Sequence, residues 1–214
     1  MYRVKNKTKP IKNGIVVPKY IIIIGKILQF INFYLATKYA VFLFKLPIKF
    51  KPPEREKIMS KSAQNEFVYI PSIKKKIHLY KYGYSNRKVL LVHGWSGRGT
   101  QMYKIADKLL EHGFMTYSFD APAHGKSEGK TTMMPDFIET IKHIHKKFGP
   151  FDVAIGHSLG GMSVLNAVKS GVNFNKVVSI SAGDIITDII TNFTKQMKFK
   201  PEMVKSMENY YLKE

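Results

Sequence analysis

Val153-Ala154-Ile155-Gly156-His157-Ser158-Leu159-Gly160-Gly161 decides how this chain is read. Val153 to Ile155 is a short apolar run of the kind that forms a strand covered on both faces, and Ser158 to Lys169 reads as the helix that follows it. A serine between such a strand and such a helix, with glycine two residues before and two after, has the pattern of a nucleophile elbow. The turn is sharp enough that Gly156 and Gly160 are needed where a larger side chain would collide with neighbouring backbone. The hydroxyl is thereby held at the C-terminal edge of a sheet. The Leu159 N–H, at the start of the helix, has no intrahelical partner and is aimed at charge developing on a substrate oxygen, where the helix dipole adds favourable field.

Outward from the elbow, strands and helices alternate. Phe67–Ile70 and Ile77–Tyr80, around Lys74-Lys75-Lys76, predict an opening hairpin. Val89–Val92 is a doubly covered strand, Thr100 to Gly113 a helix with a glycine stop, and Phe114–Phe119 the next strand. Phe137 to Gly149 is an amphipathic helix, and Val177–Ile180 a sixth strand. Crossovers at this spacing imply a mainly parallel sheet flanked by helices, class α/β. After Ser181, Ile185–Met197 and Glu202–Leu212 predict two helices separated by Pro201.

A second oxyanion donor is expected from the loop after the third strand, His93-Gly94-Trp95-Ser96-Gly97, and the N–H of Trp95 is assigned to it. Three landmarks now stand in order: His93-Gly94-Trp95, Asp120-Ala121-Pro122-Ala123-His124-Gly125-Lys126-Ser127, and Gly156-His157-Ser158-Leu159-Gly160-Gly161. Together they resemble the α/β-hydrolase superfamily over about residues 66–181, the first six strands of that fold. The resemblance implies that Ser158 is the nucleophile, that Leu159 and Trp95 are oxyanion donors, and that Asp120 and His124 shape the site rather than react.

The constellation is incomplete. In this fold the serine is followed by an acid and then by a histidine. All seven histidines (His78, His93, His112, His124, His143, His145 and His157) precede Ser158 or adjoin it on the N-terminal side. The resemblance offers Asp184, just past the sixth strand, as a substitute acid, because some members of the superfamily use an acid at that place; an N-cap for the following helix is its competing role. The resemblance implies that the helices after Ser181 begin a lid and that the last two strands are lacking, a piece on the order of 60–100 residues. The expectation is therefore a partial hydrolase core, truncated within the lid, with impaired turnover of ester-type small-molecule substrates.

Composition narrows the rest. With 214 residues, 44% apolar and 13% aromatic, the chain suits one folded domain plus an appendage. The absence of cysteine excludes disulfides, thiolate zinc sites and a cysteine nucleophile. No cofactor and no metal are expected. Gly125-Lys126-Ser127 lacks the upstream glycine of a phosphate loop, and His143 and His145, two apart on a helix, do not share a face. The formal charge is +20, carried by 31 Lys and only four Arg, which speaks against nucleic-acid recognition.

Eleven of the cations fall in residues 1–53, where there is no Asp or Glu. The expected division is a basic arm with an apolar helix over 1–57, the hydrolase core over 58–184, and lid helices over 185–214. Breakers exclude a helix before about residue 19. For Tyr20 to Leu46 three readings stay open. One is a helix packed on the domain through Leu28, Ile31, Leu35 and Phe42. The second is an interfacial helix giving a peripheral membrane contact through residues 1–46. The third is a signal or anchor segment, against which Lys26 counts. A cytoplasmic location, with or without membrane association, is the expectation.

Overall fold

The structure, a computed structural model, describes residues 17–183 and 186–212. The chain divides into two compact units, one of residues 41–189 and one that joins the described residues up to Ala40 to those from Ile190 onward. These limits differ from a boundary near residue 57. One reason is that Lys45 to Phe50 hydrogen-bonds to loops of the larger unit: Thr132 N–H donates to Lys45 O (2.9 Å), Ile48 N–H to Ser96 Oγ (3.0 Å), and Arg98 Nη1 to Phe50 O (2.8 Å).

In the smaller unit, helix α1 spans Lys19–Ile31 and α2 begins at Phe33 and runs to Phe44. One apolar segment thus makes two helices, because Asn32 is extended (φ −157°, ψ 112°). Its N–H closes α1 on Leu28 O at 2.8 Å, and its Oδ1 accepts the Leu35 N–H at 3.1 Å, the service an N-cap asparagine performs. The break resets the helical phase, so Leu28, Ile31, Leu35 and Phe42 do not form one buried stripe: Ile31 is 70% exposed, and Leu35 and Phe42 are exposed as well. The buried positions are mostly small ones, Gly25, Ala36, Thr37 and Ala40, followed by Val41.

These small residues meet the C-terminal segment. A Cβ on Gly25 would lie 2.6 Å from the Phe199 ring, Thr37 Oγ1 and Ser206 Oγ share a hydrogen bond of 2.8 Å, and Lys200 N–H donates to Gln29 Oε1 at 2.8 Å. Helix α7 (Ile186–Gln196) ends in this unit and α8 (Glu202–Tyr211) lies within it. Ile190, Met197, Phe199, Met203 and Met207 are buried apolar side chains of this C-terminal segment.

The larger unit opens with α3 (Lys57–Ser62) and the hairpin of β1 (Gln64–Ile70) and β2 (Lys75–Tyr82). It continues through β3 (Lys88–Val92), α4 (Tyr103–Glu111), β4 (Met115–Phe119), α5 (Met134–Phe148), β5 (Val153–His157), α6 (Leu159–Lys169) and β6 (Lys176–Ile180). The sheet order is β1-β2-β4-β3-β5-β6, antiparallel as far as the β2–β4 pair and parallel from β4 to β6. Every element read in the sequence from residue 67 onward is present, with ends shifted by a few residues.

Side-chain alternation explains why β3 is an unbroken apolar run. Leu90 and Val92 join Phe119, Phe137, Ile141, Ile144 and Val164 on the face covered by α5 and α6. Val89 and Leu91 join Met59, Tyr80, Met102 and Ala106 on the other face. A strand with helices on both sides has no wet face to spare for polar residues. β6 is an edge strand, with Lys176, Val178 and Ser179 exposed.

Phe119 is fully buried in the first cluster. Phe119→Ala is expected to cost about 3–5 kcal/mol of folding free energy. Urea denaturation of the full chain, compared with an exposed control such as Phe67→Ala, checks it.

Candidate active site

The four parallel strands end on one edge of the sheet, and backbone strain gathers there. Of the six non-glycine residues with positive φ among the described residues, four follow these strands: Ser96 after β3, Ala123 after β4, Ser158 after β5 and Ser181 after β6. Such residues cost about 1–3 kcal/mol each and persist where the surroundings over-determine them.

Ser158 is the junction of β5 and α6, at φ 52° and ψ −121°, with its N–H donating to Ile180 O at 2.8 Å. The glycines are sterically required. A Cβ on Gly156 would lie 2.5 Å from Gly160 and Gly161 backbone atoms, and one on Gly160 would overlap the Val92 carbonyl oxygen. The first turn of α6 therefore lies directly on the end of β3. The loop after β3 crosses the serine, since a Cβ on Gly94 would be 3.0 Å from Ser158 Cβ and 3.2 Å from His157 Nδ1. Ser158 is half-buried, and its Oγ has no hydrogen-bond partner among the described residues. The N–H groups of Leu159 and Trp95 are likewise without an acceptor there.

Polar groups behind the serine hold these loops. Asp120, 1% exposed, accepts Gly99 N–H at 2.8 Å, Lys126 N–H at 2.9 Å and the Tyr80 hydroxyl at 3.1 Å. Burial, then the Asp120 charge, push the Tyr80 phenol well above its ordinary range. His93 Nε2 accepts the Ala121 N–H (2.9 Å) while Nδ1–H donates to Gly94 O (2.7 Å). His124 Nε2 accepts the Ser96 N–H (2.9 Å) while Nδ1–H donates to Pro122 O (2.9 Å). Both imidazoles are thus neutral Nδ1–H tautomers with no nitrogen free. Burial lowers His93 to about 4, and burial together with the neighbouring His93 lowers His124 to about 3.

Sequence reading missed one further support. Glu56, 2% exposed, accepts from Arg98 Nε and Thr100 Oγ1, each at 2.7 Å, and so ties the proline-marked segment to the loop beside Trp95. A buried pair of this kind costs more to break than it gains in forming. Nothing local marks Glu56, because its partners are more than 40 residues away.

Other candidates stand apart. His157 is exposed, and His112, also exposed, is bonded to Lys108 O at 2.9 Å. His78 is buried with its Nδ1 3.9 Å from Asp120 Oδ2. Asp188 is exposed in the first turn of α7. Asp184 lies outside the described residues. Among the described residues no three His, Asp or Glu side chains cluster as a metal site would require.

A mixed sheet in this order, with a strained serine between β5 and α6, defines the hydrolase class of α/β folds. The chain belongs to the alpha/beta hydrolase fold family, whose profile matches residues 88–214. Among solved structures, an esterase from Pyrococcus furiosus is similar at a TM-score of 0.59 and 20% identity, over 76% of this chain and 66% of its own. An esterase from Exiguobacterium antarcticum gives 0.53 and 20%, over 67% and 59%. An epoxide hydrolase from Vigna radiata gives 0.52 and 14%, over 58% and 42%. At such identities the likeness is one of fold. The chain spans 59–66% of the length of the two esterases. No curated protein sequence matches it.

Two outcomes follow from this scaffold. Asp120→Ala strands three donors and should lose about 3 kcal/mol or more of stability, while Asp120→Asn, which keeps one acceptor oxygen, should lose less; urea denaturation separates them. The histidines set a pH dependence. Their folded pKa values lie below the unfolded value of about 6.5, so the unfolded chain binds more protons and stability rises with pH in between. Stability present above about 6.5 should fall as pH drops toward 4. His124→Asn should flatten that slope in denaturation curves taken between these limits.

Proposed function

We propose that this chain carries the serine half of an ester-cleaving enzyme that works through an acyl-enzyme on Ser158. The observation that carries the reading is the Ser158 backbone, at φ 52° and ψ −121° on the N-terminus of α6, with Gly94 against its Cβ. In the reaction, Ser158 Oγ loses its proton to a base and bonds to the substrate carbonyl carbon. The oxygen charge that results is held by the Leu159 and Trp95 N–H groups, whose lack of other acceptors supports the role. The bond to the alcohol oxygen then breaks as that oxygen takes up the proton, and water releases the acid from Oγ by the reverse sequence.

Among the described residues no base bonds Ser158 Oγ. His93 and His124 spend both nitrogens on backbone groups, and no histidine follows Ser158 in the sequence. Asp184 is proposed as the acid that would orient a histidine reaching the serine from elsewhere. Without that histidine, turnover is slow, since an oxyanion hole and binding alone leave roughly 10³–10⁴ over water. A second reading, a non-catalytic membrane-surface or protein-binding remnant of a hydrolase, is favoured by the unpartnered Ser158 hydroxyl.

A fluorophosphonate probe tests both. Expected is slow labelling at Ser158 that Ser158→Ala abolishes and that added imidazole, supplying the base, accelerates by about tenfold or more. Absence of labelling in a folded chain, with imidazole present, rejects the acyl-enzyme reading in favour of the binding remnant. Rapid labelling without imidazole rejects the unfilled base.

A further inference from the structure

Helix α1 has two apolar sides, and only one is covered. Gly25 is buried, and Ile21, Ile22, Leu28 and Gln29 are half-buried. Tyr20, Ile23, Ile24, Ile27, Phe30 and Ile31 are all exposed, Phe30 to 92%. At about 100° per residue these six fall within an arc of roughly 120°, opposite the packed side. A run of large aliphatic and aromatic side chains facing water is the kind of patch that marks an interaction surface.

The chemistry of the surroundings says what fits it. Lys19 and Lys26 project at one rim of the arc, by the same angular count, where their stems can lie along the apolar surface with the ammonium groups outward. Residues 1–53 hold eleven cations and no acid, and five of these, Arg3, Lys5, Lys7, Lys9 and Lys12, come just before the described residues. A second copy would bring the same charge to the contact and be repelled. A protein partner would meet a stripe whose single hydrogen-bonding group is the Tyr20 hydroxyl, whereas protein interfaces carry polar rims and about one hydrogen bond per 100–200 Å². An anionic lipid surface asks for apolar side chains bordered by lysines and flanked by a polybasic segment. Spanning is not available: α1 has 13 residues, and among the described residues no helix is long and apolar enough to cross a membrane.

We propose that the exposed stripe Tyr20, Ile23, Ile24, Ile27, Phe30 and Ile31 seats α1 in the plane of an anionic phospholipid surface, with the flanking cations on the headgroups. The contact is peripheral, and it does not depend on the serine chemistry. Sedimentation of the full chain with vesicles tests it, comparing phosphatidylcholine alone with phosphatidylcholine containing phosphatidylserine, at low and high salt. The full chain should bind the phosphatidylserine vesicles about tenfold or more tightly than the neutral ones. Phe30→Ser/Ile31→Ser should weaken that binding by about tenfold or more at fixed salt, with an unchanged circular dichroism spectrum because both side chains are exposed. Should that variant not fold, Lys19→Gln/Lys26→Gln serves, with the lipid-charge preference reduced and neutral binding retained. Three results overturn the proposal: no preference for phosphatidylserine, binding that salt abolishes but the Phe30→Ser/Ile31→Ser variant leaves intact, or a dimer that this variant dissociates without any vesicle binding. Because binding is read without turnover, its failure is distinct from failure of the Ser158 reading.

Discussion

The contact between the first turn of α6 and the end of β3 is backbone against backbone, and the rest of the larger unit is arranged to permit it. Gly160 lies where a Cβ would overlap the Val92 carbonyl oxygen, and Gly156 where one would lie 2.5 Å from Gly160. With no side chain between helix and strand, the chain must reverse within one residue, and Ser158 takes the positive φ that this demands. The strain is borne by the packing around it: β5 is held between β3 and β6, and α6 is buried through Val164 and Ala167. A looser junction would let the serine relax to an ordinary conformation and withdraw its hydroxyl from the sheet edge.

The loops that meet the serine are fixed by buried polar groups. His93 and His124 are locked as neutral tautomers because each ring bonds a backbone N–H on one nitrogen and a carbonyl on the other. Desolvation keeps them neutral, and neutrality keeps those bonds. Asp120 acts in the opposite sense, a buried carboxylate held by three donors from β2 and the loops after β3 and β4. These side chains look catalytic by type but are spent on placing backbone.

The smaller unit follows a different logic. Its helices α1 and α2 bury the small residues Gly25, Ala36, Thr37 and Ala40, with Ile21, Ile22 and Leu28 half-buried and Phe30 and Ile31 exposed. On α1 a large apolar residue is therefore not a marker of burial, whereas Ile190, Met203 and Met207 of the same unit are buried. Thr37 meeting Ser206, and Gln29 meeting the Lys200 N–H, join the two ends of the sequence.

Local chemistry determined the alternation of strands and helices from Phe67 to Ile180, the position of the elbow and its need for glycine. Strand and helix periods, turn glycines and doubly covered strands are written in neighbouring residues. Ser158, Leu159 and Trp95, on which the proposed chemistry rests, are named by the same local pattern. Only the tertiary structure decided the partners of Glu56 and Asp120, the double engagement of His93 and His124, the split of one apolar segment at Asn32, and which side of α1 faces water. Each depends on groups far apart in the chain, or on which of two apolar sides finds a neighbour, and periodicity carries no information about either.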